Sequence, residues 1–164
     1  MGELYKRGRT TIEPLDLNEL VSEMLTLVHN ELLTRNINVT VDLGAMLPII
    51  EGDRVQLQQV LLNLIVNAAD AMSETGIEQR QLAIRTETTA TDVRCHVVDH
   101  GSGIAAEDLE HLFDAFWTTK TGGMGMGLAL CQTIVAAHRG SLTAANNAAG
   151  GATFCVSLPI RQAA

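Results

Sequence analysis

The chain has 164 residues, of which 46% are hydrophobic and 18% charged, and its formal net charge is −8. This length corresponds to about one domain with its own core, and the apolar content excludes a disordered tail. The negative charge argues against a nucleic-acid module and against contact with an anionic membrane. Because no apolar run is long enough to span a bilayer, no signal peptide is recognisable and the three cysteines lack paired spacing, we expect a cytoplasmic protein.

The first half of the chain is predicted to form two helices separated by short extended pieces. Residues 1–14 are polar and basic and are interpreted as a linker. Apolar residues recur at i, i+3, i+4 and i+7 over residues 16–36, which predicts a helix, and the same spacing is strongest over residues 54–73. Residues 37–43 alternate between apolar and polar and predict a strand, followed by a short extended piece at 48–53.

The second half of the chain is richer in strand patterns. The predicted elements are strands at 82–88 and 93–99, a short helix at 105–112, a helix at 128–137 ended by Gly140, and a hairpin of strands 141–145 and 153–158. Strands that cluster along the chain favour an α+β sandwich with a mixed or antiparallel sheet over strict βαβ alternation.

A column of polar side chains lies opposite the apolar stripe of the second helix. The column, spaced by four, four, three and four residues, consists of Gln59, Asn63, Asn67, Asp70 and Glu74. Asparagine is a poor helix former, so two of them within one helix require a reason, and an amide oxygen is a suitable ligand for Mg²⁺. Taken alone, the column also fits amides that pack against or cap a neighbouring loop.

An acidic residue at the end of a predicted strand is followed by two alternate glycines. Asp99 precedes Gly101 and Gly103, which allow a ligand to approach the backbone closely. A buried carboxylate at this position can accept a hydrogen bond from an exocyclic amine such as that of adenine. By itself, however, the pattern favours a tight turn with a capping aspartate.

A glycine-rich segment lies directly before the third helix. Four of the six residues 122–127 are glycines, and Lys120 precedes them. Free backbone N–H groups at a helix N-terminus form an anion site, to which a lysine can add positive charge. A surface linker is the alternative, but Met124 and Met126 and the apolar helix that follows favour phosphate binding. The segment is not a Walker A loop, because no glycine in the chain is followed by lysine.

In this order, the segments resemble the catalytic ATP-binding domain of two-component sensor histidine kinases, which shares the Bergerat fold with gyrase B, Hsp90 and MutL. The N box, first glycine box, F box and second glycine box correspond to residues 53–68, 99–104, 113–120 and 123–130. The resemblance implies an α+β fold, a two-layer α/β sandwich with a mixed sheet and three main helices on one face. It makes residues 15–160 the ATP-binding domain, 1–14 a linker or the end of a preceding dimerisation hairpin, and 161–164 a tail.

The same resemblance implies roles for individual residues. Asn67 would bind Mg²⁺, Asn63 would lie near the phosphates, and both would be catalytic, while Asp99 would bind the adenine amine. The nucleotide-binding residues implied are Asn63, Asn67, Asp70, Asp99, Gly101, Gly103, Ile104, Lys120, Gly123, Met124, Gly125, Met126, Gly127, Leu128 and Thr153. Residues 105–126 would form a lid over ATP that Phe113 and Phe116 anchor.

The function implied is that of a protein-histidine kinase that binds ATP and Mg²⁺ and donates the γ-phosphoryl group to histidine. Hydrolytic relatives carry a glutamate where this chain has Asn63, which cannot accept a proton, so a histidine imidazole is favoured over water as the acceptor. No histidine here has a phosphoacceptor context. The implied partners are therefore a separate histidine-bearing dimerisation domain and the receiver domain of a response regulator, and the isolated domain is expected to be monomeric.

Three alternatives were weighed against this interpretation. An anti-sigma-factor-type serine kinase shares the same boxes, and a non-catalytic ATP-sensing module shares the same fold. A dinucleotide oxidoreductase superficially fits the glycines after Asp99, but no acidic residue ends a second strand about 20 residues later.

Overall fold

The structure is a computed structural model that describes residues 10–115 and 127–161. In chain order the elements are β1 (Ile12–Leu15), α1 (Leu17–Leu27), α2 (His29–Thr34), β2 (Asn38–Asp42), β3 (Ile50–Asp53), α3 (Arg54–Ala71), a 3₁₀ turn (Ile77–Gln79), β4 (Gln81–Thr88), β5 (Asp92–Val98), α4 (Ala106–Leu109), α5 (Gly127–Ala137), β6 (Ser141–Asn146) and β7 (Ala152–Pro159). No helix within the described ranges combines the length and the apolar character needed to cross a membrane.

A five-stranded mixed sheet forms one layer of the molecule. Its strand order is β2-β4-β5-β7-β6, with β2 parallel to β4 and the other neighbours antiparallel. This confirms the predicted α+β class and its mixed sheet. A second sheet pairs β1 antiparallel with β3, so residues 12–14 belong to the fold rather than to a linker. The linker prediction missed this strand because four residues carry too little periodicity to identify one.

The core lies between the large sheet and the helices. Along β5, the side chains of Val93, Cys95 and Val97 are buried, whereas Arg94 and His96 occupy the opposite face and are only partly covered. The alternation follows from the two-residue repeat of a strand. Helix α3 is central, because it packs against α1, α5 and β5 and contributes many of the buried leucines. Each fully buried leucine contributes about 2 kcal/mol through the hydrophobic effect.

The first predicted helix is two helices in the structure. Asp16 caps α1 by accepting a hydrogen bond from the Asn18 N–H at 2.9 Å, and the helical geometry is interrupted at Val28, where φ is −99° and ψ is 8°. The Val28 carbonyl still accepts a hydrogen bond from the Leu32 N–H, and both side chains are buried. The apolar stripe therefore continues across the break, and periodicity alone could not reveal it.

The end of α5 differs in detail from the prediction. The residue with positive φ is Arg139, at 61°, rather than Gly140, whose N–H donates to the Val135 carbonyl. Glycine is nevertheless required at position 140, because a Cβ there would lie 2.2 Å from the Ser157 carbonyl oxygen. Gly140 is therefore needed for the close approach of the helix end to β7, whereas the left-handed backbone conformation at the helix end belongs to Arg139.

Candidate nucleotide-binding site

The polar column of α3 lies beside the start of α5. The Asn63 amide nitrogen is 3.5 Å from the Gly127 carbonyl oxygen and 3.6 Å from the Cys131 sulfur. The Asn63 side-chain oxygen accepts a hydrogen bond from the Gln59 amide at 3.3 Å. The structure thus brings the predicted amide column together with the last residue of the glycine-rich segment.

Asn67 lies one turn further along α3 and is partly buried. Its side chain makes no hydrogen bond to any residue within 10–115 or 127–161. An amide oxygen without a protein donor keeps both lone pairs available, so the donor set here fits a hard cation such as Mg²⁺. Binding of Mg²⁺ by Asn67 stays a prediction.

Asp70, the next member of the column, is held by an ion pair. Its Oδ1 atom accepts a hydrogen bond from the Arg35 guanidinium at 2.9 Å, and this bond raises the pKa of Arg35. The pair joins the C-terminal half of α3 to the end of α2. The resemblance grouped Asp70 with the nucleotide-binding residues; that role stays a prediction, and the ion pair with Arg35 is one contact that the structure shows.

Asp99 follows β5 and is almost completely buried, with 1% of its surface exposed. Its Oδ1 atom accepts hydrogen bonds from the Gly101 N–H at 2.9 Å and from the Ala152 N–H at 3.2 Å. No described residue donates to Oδ2. Burial raises the pKa of the Asp99 carboxyl, although the bonds from Gly101 and Ala152 and the nearby His100 act in the opposite direction. The site therefore presents a desolvated carboxylate with one oxygen free.

The two glycines after Asp99 are required by close contacts. A Cβ at Gly101 would lie 2.3 Å from the Ala71 carbonyl oxygen at the end of α3. Gly103 has φ of 79°, and a Cβ there would lie 3.0 Å from the Asn146 side-chain oxygen. These glycines pack the segment after β5 against both α3 and the turn between β6 and β7.

Helix α3 connects the two ends of the candidate site. Asn63 touches Gly127 near one end, and Ala71 touches Gly101 at the other. Eight residues of helix separate these contacts, which corresponds to about 12 Å. The Asn67 amide lies between them, so the carboxylate, the free amide and the start of α5 lie along one side of a single helix.

The remaining predicted site residues divide into described and undescribed positions. Leu128 and Ile104 are partly buried and pack against the core, and Phe113 does the same. Thr153 pairs with Val98 in the sheet, and its hydroxyl donates to the Asn147 side-chain oxygen. Outside the described residues lie Phe116, Lys120, Gly123, Met124, Gly125 and Met126.

Sequence reasoning missed Asn146, the last residue of β6, and Asn147, which follows it. The Asn146 side chain exchanges two hydrogen bonds with the backbone of Ile104, and the Asn147 side chain donates to the Asp99 carbonyl oxygen. Two consecutive asparagines before a pair of glycines were interpreted only as a hairpin turn. The sequence offered no signal that separates this role from ordinary turn formation, because asparagine is common in turns.

Comparison with known proteins shows which family the chain resembles. The profile of the family described as histidine kinase-, DNA gyrase B- and HSP90-like ATPase matches residues 52–162. Sensor histidine kinase TmoS of Ectopseudomonas mendocina is 40% identical over 158 residues, which cover 94% of this chain and 16% of TmoS. The C4-dicarboxylate transport sensor protein DctS of Rhodobacter capsulatus is 34% identical over 98% of this chain and 24% of its own length. The chain therefore spans less than a quarter of either relative.

Solved structures match over almost the whole chain. The catalytic domain of histidine kinase ThkA has a TM-score of 0.81 at 32% identity and covers 92% of this chain and 98% of that domain. Full-length ShkA in complex with AMPPNP has a TM-score of 0.81 at 27% identity, over 95% of this chain and 32% of ShkA. ThkA in complex with response regulator protein TrrA has a TM-score of 0.79 at 28% identity, over 98% and 46%. These matches confirm the predicted fold and the resemblance to histidine kinase catalytic domains.

Proposed function

The chain belongs to the histidine kinase-, DNA gyrase B- and HSP90-like ATPase family, and on that premise we propose that it binds Mg-ATP and donates the γ-phosphoryl group to a histidine on a separate phosphoacceptor segment. The observation that carries the proposal is the arrangement along α3. The Asp99 carboxylate and Gly101 lie at one end, Gly127 lies at the other, and the free amide of Asn67 lies between them. This order matches that of base, metal and phosphates in an extended nucleotide.

Adenine binds at the Asp99 end of the site. The free Oδ2 atom accepts a hydrogen bond from the exocyclic amine, while Oδ1 stays fixed by the backbone N–H groups of Gly101 and Ala152. Guanine presents a carbonyl oxygen at the equivalent position, which would place two acceptors against each other without a donor. Because a buried acceptor without a partner costs about 1–3 kcal/mol, ATP is favoured over GTP.

The phosphates lie towards Asn63 and the start of α5. The Asn67 oxygen would hold Mg²⁺, and the bound ion would neutralise charge on the phosphates. Asn63 stays close to the phosphates and is itself positioned by Gln59 and Gly127. Residues 123–126 and Lys120, which the resemblance assigns to phosphate binding, lie outside the described residues.

The acceptor is a histidine of a partner segment rather than water. Asn63 is an amide and removes no proton, so a water molecule beside it is not activated. A neutral imidazole nitrogen attacks the γ-phosphorus, the bond to the β–γ bridging oxygen breaks, and ADP leaves. The phosphohistidine then donates its phosphoryl group to the receiver domain of a response regulator. Histidine kinase ThkA, which has a similar structure, forms a complex with response regulator protein TrrA. We place this reaction in the cytoplasm, with residues 12–160 as the ATP-binding domain, because β1 pairs with β3.

Titration calorimetry with ATP, ADP and GTP in the presence of Mg²⁺ tests the binding step. Asn67→Asp should abolish Mg²⁺-dependent binding and phosphotransfer while the chain stays folded, and Asp99→Ala should weaken ATP and erode its preference over GTP. Asn38→Asp on the exposed strand β2 is the matched control for added charge. Unchanged ATP affinity in Asn67→Asp would refute the metal assignment, and equal losses for ATP and GTP in Asp99→Ala would refute base recognition.

Mixing the chain with a histidine-bearing helical hairpin and radiolabelled ATP tests the transfer step. The proposal requires an acid-labile phosphorylated product that depends on Asn67. An acid-stable product on a serine-bearing partner would identify the serine kinase alternative instead. Nucleotide binding without transfer to either partner would favour a non-catalytic sensor.

A further inference from the structure

Asn146, the last residue of β6, reaches across to the segment that follows Asp99. Its side-chain oxygen accepts a hydrogen bond from the Ile104 N–H at 2.7 Å, and its amide donates to the Ile104 carbonyl at 2.7 Å. Both backbone groups of Ile104 are therefore paired by one side chain, as they would be by a neighbouring strand. This two-point contact is the reason that the irregular segment after β5 has a defined position.

Asn147, the next residue, holds the other end of the same segment. Its amide donates to the Asp99 carbonyl oxygen at 3.1 Å, and its side-chain oxygen accepts a hydrogen bond from the Thr153 hydroxyl. Asp99 is thereby tied through its backbone to the turn, in addition to its bonds with Ala152. The direction of the free Oδ2 atom depends on this backbone position.

These contacts exceed what a turn between two strands needs. The backbone bonds from the Asn147 N–H to the Gly151 carbonyl and from the Gly150 N–H to the Asn147 carbonyl close the turn already. Each side chain also bonds to a residue more than forty positions away in sequence, and Asn147 bonds in addition to the Gly150 carbonyl oxygen and the Thr153 hydroxyl. These long-range bonds hold the segment that carries Asp99 and Ile104 in place.

We infer that Asn146 and Asn147 form an asparagine clamp that positions the adenine-recognising segment and thereby sets the selectivity for the base. The inference rests on the proposed function and deepens it. Asn147 aims the Asp99 carboxylate at the exocyclic amine, and Asn146 fixes Gly103 and Ile104 against the plane of the ring. Neither residue touches the reacting phosphates, so both are positioning residues rather than catalytic ones.

Nucleotide titrations of single alanine variants test the clamp. The two ligands are Mg-ATP and the Mg complex of purine riboside triphosphate, which lacks the exocyclic amine. Asn147→Ala should weaken the binding of ATP about tenfold and the binding of the analogue less than about threefold, because the substitution removes recognition of the exocyclic amine. Asn146→Ala should weaken both ligands about tenfold, because it releases the segment that supports the ring. Asn38→Ala, which removes an amide from the exposed strand β2, is the matched control.

The ratio of the two affinities separates positioning from general destabilisation. A purely structural role would lower the melting temperature and leave the ratio for the folded protein unchanged. An unchanged ratio in Asn147→Ala, or ATP affinity within about twofold of wild type in Asn146→Ala, would overturn the inference. If Asn147→Ala does not fold, Thr153→Val removes the hydroxyl that holds the Asn147 oxygen and should lower the same ratio about threefold; an unchanged ratio there also overturns the clamp.

Asp99→Asn distinguishes failure of the clamp from failure of the proposed function. If the wild-type chain binds ATP better than the analogue and Asp99→Asn removes this preference, the base assignment holds. Clamp variants with wild-type affinities would then refute the clamp alone. A wild-type chain that binds neither ligand would refute the proposed function and the clamp together.

Discussion

The substitution Gly101→Ala tests the junction between α3 and the segment after Asp99. The added Cβ would lie 2.3 Å from the Ala71 carbonyl oxygen, 2.8 Å from the Ala71 carbonyl carbon and 3.2 Å from the Asp99 Oδ1 atom. The first two atoms belong to the backbone at the end of a helix and cannot rotate away. The segment must therefore move by about 1 Å to restore a normal contact.

Overpacking of this kind costs about 2 kcal/mol of the free energy of unfolding. For a chain of this size, the loss corresponds to a fall in melting temperature of about 6 °C. The displacement also moves the Asp99 carboxylate, which loses its bond from the Gly101 N–H, so the affinity for ATP should fall about tenfold or more.

Chemical denaturation and ATP titration of Gly101→Ala measure the two effects. Gly76→Ala is the matched control, because a Cβ at Gly76 meets no atom within 4 Å and its φ of −56° suits alanine. That control should leave ATP affinity unchanged and stabilise the chain slightly. Wild-type stability and affinity in Gly101→Ala would show that the contact between Gly101 and Ala71 does not position the site.

Other expectations concern charge, helix capping and the thiols. Burial raises the pKa of Asp99, so the contribution of this carboxyl to stability falls as pH rises through that pKa. Asp99→Asn should therefore be more stable than the wild type at neutral pH, and the difference should shrink in acid. Melting curves at several pH values would contradict this if the difference grew in acid. Asp53→Ala should lower the free energy of unfolding by about 2 kcal/mol, because the buried Asp53 caps α3 and also accepts a hydrogen bond from the Thr11 N–H. Asp16→Ala at the exposed cap of α1 should lower it by about 1 kcal/mol. Equal losses in denaturation experiments would refute this distinction. Burial raises the pKa of Cys95 to about 12, so iodoacetamide at pH 8 should modify the partly exposed Cys155 first, and peptide mass spectrometry that finds Cys95 modified first would be inconsistent with the described core.

The fold class and the family could be predicted from local sequence patterns, and so could the positions of the candidate site residues. Helix α3 carries a long apolar stripe, and its amide column is visible as spacing because both depend only on the 3.6-residue repeat. Strands β4 and β5 alternate buried and partly exposed residues, so they were predicted within one or two residues of their observed bounds. Four boxes in a fixed order identified the family without any three-dimensional information.

Tertiary structure alone decided the contacts between segments that are distant in the chain. The strand β1 is stable only because it pairs with β3, and four residues leave no detectable period. The ion pair between Asp70 and Arg35 joins α3 to the end of α2, and the position of Asp70 in the column says nothing about it. The bonds from Asn146 and Asn147 to Ile104 and Asp99 are likewise invisible in sequence, because hydrogen bonds over more than forty residues depend on how the sheet brings strand ends together.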